Sequence, residues 1–101
     1  MMKKHILWAD DEIDLLKPHI IFMEDKGYIV TPVNSGEDAI IACKSNDIDL
    51  ILIDEMMTGL NGIETITIIK SKYPEIPIIM VTKNEEEWLM EEAISMHISN
   101  F

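Results

Sequence analysis

Three aspartates carry the chemistry legible in this chain. Asp10 and Asp11 follow the apolar run Ile6-Leu7-Trp8-Ala9, and Asp54 closes the run Leu50-Ile51-Leu52-Ile53. Apolar runs of this kind, bounded by turn residues, read as buried parallel strands. An acid at the end of such a strand sits at the carboxyl edge of the sheet, where open α/β folds keep their reactive groups. If the two strands are neighbours, the three carboxylates converge, and a cation must offset their mutual repulsion. Mg2+ suits the set, because it takes few carboxylates, keeps several waters and accepts phosphate as a further ligand. Beside such an ion, Asp54 could serve as a carboxylate nucleophile that forms an acyl phosphate. Taken singly, each acid reads as a helix cap or turn residue; placed at two strand ends, they favour a site.

Thr82 ends a further apolar run, Ile78-Ile79-Met80-Val81, and its hydroxyl would lie at the same sheet edge. There it could donate to a phosphoryl oxygen on Asp54; alone, it reads as a local turn residue. Gly59 and Gly62 follow Asp54 closely and suggest a loop that needs positive φ or close backbone approach. The histidines 5, 19 and 97 lack ligand spacing and read as structural. Trp8 reads as core, and Trp88, Leu89 and Met96 as a helix face packed on the sheet. Neither a Walker loop nor a dinucleotide fingerprint is present in the sequence.

The elements that must position these residues alternate strand and helix. Strands are predicted at His5 to Ala9, Tyr28 to Val33, Leu50 to Ile53 and Ile76 to Val81. Pro32 removes a ladder donor, which assigns the second strand to a sheet edge. The first helix is predicted from Glu12 to Lys26, stopped by Gly27, with Pro18 kinking it or delaying its start. Ser35 caps the second helix, with Asp38 three residues on as a capping-box variant. The third begins near Asn61-Gly62, with Glu64 in its first turn, and ends before Pro74. Asn84 would cap a fourth, running to about Met96 with Glu85, Glu86 and Glu87 in its first turn. Strict alternation with short linkers implies a parallel sheet with right-handed crossovers.

At 101 residues the chain is one domain at most, and 48% hydrophobic composition supports an ordinary core. Nineteen acids against eight lysines and arginines give a net charge of −11. That balance argues against direct contact with nucleic acid, since phosphate contacts need Lys and Arg. It reads as a solvated acidic surface, or as a docking face for a basic partner. Cys43 stands alone among apolar neighbours and reads as a small buried hydrophobe, with no disulfide framework. Neither a signal peptide nor a run of membrane-spanning length is present, so a cytoplasmic location without membrane insertion is expected.

Asp10-Asp11, then Asp54-x-x-Met57-x-Gly59-x-x-Gly62, then Thr82, together resemble the receiver domain of two-component response regulators. The resemblance implies a flavodoxin-like, doubly wound parallel sheet with strand order 2-1-3-4. It assigns direct Mg2+ binding to Asp11 and water-mediated binding mainly to Asp10. Asp54 becomes the phosphoacceptor, and the backbone carbonyl of Met56 completes the metal site. Thr82 becomes the switch hydroxyl. The implied partner is a sensor histidine kinase or phosphotransfer protein, and the domain catalyses its own modification rather than acting as a conventional enzyme. The stretch from Ile6 to Ile20 is most similar to receivers that precede a PglZ-type output domain.

Thr58 stands where the family usually has Pro, and Lys83 where a small residue follows the switch Thr. The family's fifth strand and helix, and the Lys that ends that strand, have no counterpart before Phe101. An incomplete receiver over residues 1–101, without a C-terminal output domain, is therefore expected. Its fourth strand would be an exposed apolar edge inclined to self-association. An interaction module of the same fold that does not use phosphate is the alternative. A haloacid-dehalogenase-type phosphatase would want a second Asp two residues after the nucleophile, where Met56 stands.

Overall fold

Alternation of side chains across each strand sorts the apolar residues into two cores. In the computed structural model, which describes residues 3–81, four parallel strands form one sheet. They are β1 (His5–Ala9), β2 (Ile29–Val33), β3 (Leu50–Asp54) and β4 (Ile78–Val81), in the order β2-β1-β3-β4. Three helices connect them: α1 (Lys17–Asp25), α2 (Gly36–Ser45) and α3 (Gly62–Lys72). Leu7, Ala9, Ile51 and Ile53 pack on one face with Ala39, Cys43 and Ile69 from α2 and α3. Ile6, Trp8, Leu50 and Leu52 pack on the other with Ile13 and Met23. β3 is buried at every position, as a central strand covered on both faces must be. Burial holds the Cys43 thiol above its ordinary pKa, as expected for a small core residue.

The first helix starts later than the sequence suggests. A 3₁₀ turn spans Ile13–Leu16, and α1 proper opens at Lys17 with Pro18 in its first turn. Proline is tolerated there because the first helical N–H groups have no intrahelical partner. The helix ends at Gly27 (φ +96°), where Gly27 N–H donates to Glu24 and Tyr28 N–H to Met23. This is a Schellman closure, and it needs a residue at ease with positive φ. β2 and β4 each start later than expected, at Ile29 and Ile78. Tyr28 N–H is spent on the α1 closure and Ile76 N–H on a turn to Tyr73.

Pro32 marks an edge, as expected, and the register shows how. Ile29 N–H donates to Lys4, and Val33 accepts from Asp10 N–H. Alternate residues of a parallel ladder face the same neighbour, so residues 29, 31 and 33 face β1 and residues 30 and 32 face outward. Pro32 therefore stands where the missing N–H costs no ladder bond. On the opposite margin β4 pairs with β3, and Met80 is exposed while Val81 is buried. The predicted fourth helix, and whatever bears on the free edge beyond Val81, lie outside the described residues. No helix among the described residues is long and apolar enough to cross a membrane.

Replacing Leu52, fully buried in the central strand, by Ala is expected to cost about 2–5 kcal/mol. Asn61→Ala, which breaks the α3 capping box, is expected to cost about 1 kcal/mol. Urea denaturation of the two variants beside the parent checks both values and their order.

Candidate functional site

Strand register brings the acids together. Trp8 pairs with Leu52 and Ala9 with Ile53, so the next residues, Asp10 just past β1 and Asp54 at the last position of β3, stand side by side at the carboxyl edge. Asp54 is 1% exposed and Asp10 is 7% exposed, while Asp11 is open to solvent. One carboxylate oxygen from each of the three lies within 4.8 Å of the others. For the two buried members, that separation means about 1 kcal/mol of repulsion in bulk water and about 3 kcal/mol at an effective dielectric near 20. A divalent cation among the three oxygens reverses the sign of this interaction. The donor set is all hard oxygen, with one exposed member that leaves room for water, which fits Mg2+.

Local backbone bonds aim the acids. Asp10 N–H is pinned to Val33 at the end of β2, and Asp10 Oδ1 accepts from Glu12 N–H at 2.8 Å. Asp54 Oδ1 accepts from Met56 N–H at 3.4 Å, and the Met56 side chain is 68% exposed. Main chain at Met56 thus lies against the Asp54 carboxylate while its side chain stands clear. The Glu12 N–H contact makes Asp10 the cap or turn residue that its type suggests, at the same time as it stands in the cluster.

The two loop glycines have separate reasons. Gly59 adopts φ +82°, a conformation that L side chains rarely take. Gly62 approaches the strand end so closely that a Cβ would lie 2.6 Å from the Asp54 carbonyl oxygen. Its N–H donates to Glu55 and closes the loop. Asn61 then caps α3 with reciprocal bonds to Glu64. Behind this turn, Gly36 at the start of α2 meets Thr65 of α3 with no space for a side chain. Asp54 is therefore held by a loop tied down on two sides. Thr82 and Lys83, assigned to the switch and its neighbour, lie outside the described residues.

The model of the response regulator receiver domain family matches residues 6–101 of this chain. Response regulator SaeR of Staphylococcus aureus is 37% identical over 83 residues, which cover 82% of this chain and 36% of SaeR. The chain thus spans about a third of the length of the curated relatives it matches. Among solved structures, response regulator TrrA of Thermotoga maritima in complex with Mg(2+)-BeF is 26% identical, covering 93% of this chain and 80% of that one, with a TM-score of 0.74. The complex of histidine kinase ThkA with TrrA matches at 23% identity over 93% of this chain and 97% of that one, with a TM-score of 0.81, a likeness of fold.

Asp11→Asn removes one like charge from the cluster. The metal-free variant is expected to melt at a higher temperature than the parent in EDTA, and millimolar Mg2+ is expected to raise the melting temperature of the parent more than that of the variant. Thermal melts with and without Mg2+ check both halves; an unchanged Mg2+ response would exclude Asp11 from the cation site.

Proposed function

This chain belongs to the response regulator receiver domain family, and from that premise we propose that it receives a phosphoryl group on Asp54 from a sensor histidine kinase or phosphotransfer protein. The observation that carries the reading is the convergence of Asp10, Asp11 and Asp54 at adjoining strand ends. The TrrA structures support it by analogy, one holding Mg(2+)-BeF and one a histidine kinase.

In the proposed reaction an Asp54 carboxylate oxygen attacks the phosphorus of a phosphohistidine. The new O–P bond forms as the N–P bond breaks, and the imidazole nitrogen leaves with the electron pair. Asp10, Asp11, Asp54 and the Met56 carbonyl would hold Mg2+, which when bound offsets charge on the phosphoryl oxygens. Asp54 supplies the nucleophile from a buried position that limits access of competing water. The loop from Glu55 to Gly62, closed by the Gly62 contact, keeps the carboxylate in place for in-line attack. Thr82 acts as the switch, donating its hydroxyl to the phosphoryl group and coupling the added charge to the surface nearby. The chain modifies itself once per cycle and turns over no separate substrate. Its output is proposed to be a PglZ-type domain, on the resemblance over residues 6–20.

Beryllofluoride with Mg2+ is expected to bind the parent chain and not Asp54→Asn, read as Mg2+-dependent changes in the NMR spectrum. Absence of binding to the parent would favour the alternative, an interaction module of the same fold that does not use phosphate. Thr82→Ala should keep binding while losing the spectral changes remote from Asp54.

Lys83 follows the switch where a small residue is usual, and a bulky side chain there would narrow access to Asp54. Phosphorylated Lys83→Ala should therefore lose phosphate several-fold faster than the parent in an autodephosphorylation time course. Equal half-lives would remove Lys83 from this role.

A further inference from the structure

A groove of about 920 Å³ runs along the outer margin of β2, between α1 and α2. We propose that it docks a basic amphipathic helix of a partner protein. Its walls carry apolar side chains that the core does not use: Ile21 of α1 is 50% exposed and Ile41 of α2 is 58% exposed. Val30 and Pro32 of β2 lie between them. Asp14, Glu24 and Asp38 also line the groove, against one cation, Lys17. The groove shares no residue with the carboxylate cluster.

Charge selects among occupants. With a net charge of −11, a second copy of this chain would bring acids against acids, and nucleic acid is repelled for the same reason. Lysines or arginines flanking an apolar stripe meet both features of the groove at once.

Backbone chemistry selects the form. An added strand draws its affinity from main-chain bonds. The outward positions of β2 are Val30 and Pro32, and proline has no N–H to give. Such a strand would find one donor where two are needed, so packing of side chains must dominate. A helix satisfies its own backbone and presents only side chains. Five residues of β2 span about 16 Å, the rise of about three helical turns.

The test uses the full 101-residue chain and a synthetic Leu/Lys amphipathic helix of about four turns, titrated by heteronuclear NMR. Controls are a Leu/Glu peptide of the same pattern and a scrambled Leu/Lys peptide. The proposal expects saturable shifts centred on Ile20, Ile21, Val30 and Ile41, with neither control matching. Ile21→Glu with Ile41→Glu should weaken binding at least about tenfold and leave Mg2+-beryllofluoride binding intact. Asp38→Lys, on an exposed helical position, should weaken it through charge alone. Shifts centred on Asp10 and Asp54, equal binding by either control, or affinity unmoved by these substitutions would overturn the proposal.

Discussion

The register of two parallel strands is the constraint from which the site follows. Once Trp8 lies beside Leu52 and Ala9 beside Ile53, the next residue of each strand has no other place to go. Side-chain alternation settles the rest. Trp8 and Leu52 point into one core while Ala9 and Ile53 point into the other. A slip of one residue would turn both sets over, placing Trp8 where α2 and α3 pack on small side chains. The apolar pattern that protects the core therefore also protects the meeting of Asp10 with Asp54.

That meeting is costly by itself. Two carboxylates stand at the closed end of the sheet with a third at its rim, and like charges so close repel one another. The fold tolerates them because helix packing and the loop closures at Gly27 and Gly62 are independent of the acids. A cation that bound only the folded chain would offset this cost and stabilise the fold by mass action. Acid pocket and acidic surface are distinct in this respect. The pocket is fixed by backbone bonds from Glu12 and Met56, whereas exposed acids such as Glu37, Asp38 and Glu64 stand in the first turns of α2 and α3.

Much of this was legible in the sequence because the signals were local. Three prolines stand where an N–H is not required: Pro18 in the first turn of α1, Pro32 on the outer margin of β2 and Pro74 just past α3; Pro77 precedes β4, where a lost N–H costs no bond within the strand pair β3–β4 itself. Asn61 and Ser35 cap helices as their types suggest. The β3 run and its terminal acid were equally plain. What was not legible depends on tertiary distance. The 3₁₀ turn before α1 reflects how the chain leaves β1, with Ile13 turned into the core. The need for Gly62 comes from the Asp54 carbonyl 2.6 Å from where its Cβ would stand. The tight meeting of Gly36 with Thr65 joins residues far apart in the chain. Periodicity contains none of these distances.

The two margins of the sheet are chemically unequal, and this gives the fold a direction. On the β2 side, Pro32 removes a donor at an outward position, and flanking helices leave a groove lined by side chains. On the β4 side, Ile51 N–H donates to Pro77 and Glu55 N–H to Val81. Residues 77, 79 and 81 therefore face β3, and residues 78 and 80 present intact peptide groups outward. A strand can extend the ladder only where donors and acceptors alternate without a gap, which holds at β4 and fails at β2. Pro77 does not alter this, because its missing N–H would have faced β3 at the very start of the strand. Among the described residues, β4 thus presents an unbroken set of outward peptide groups, while recognition at β2 must proceed through side chains.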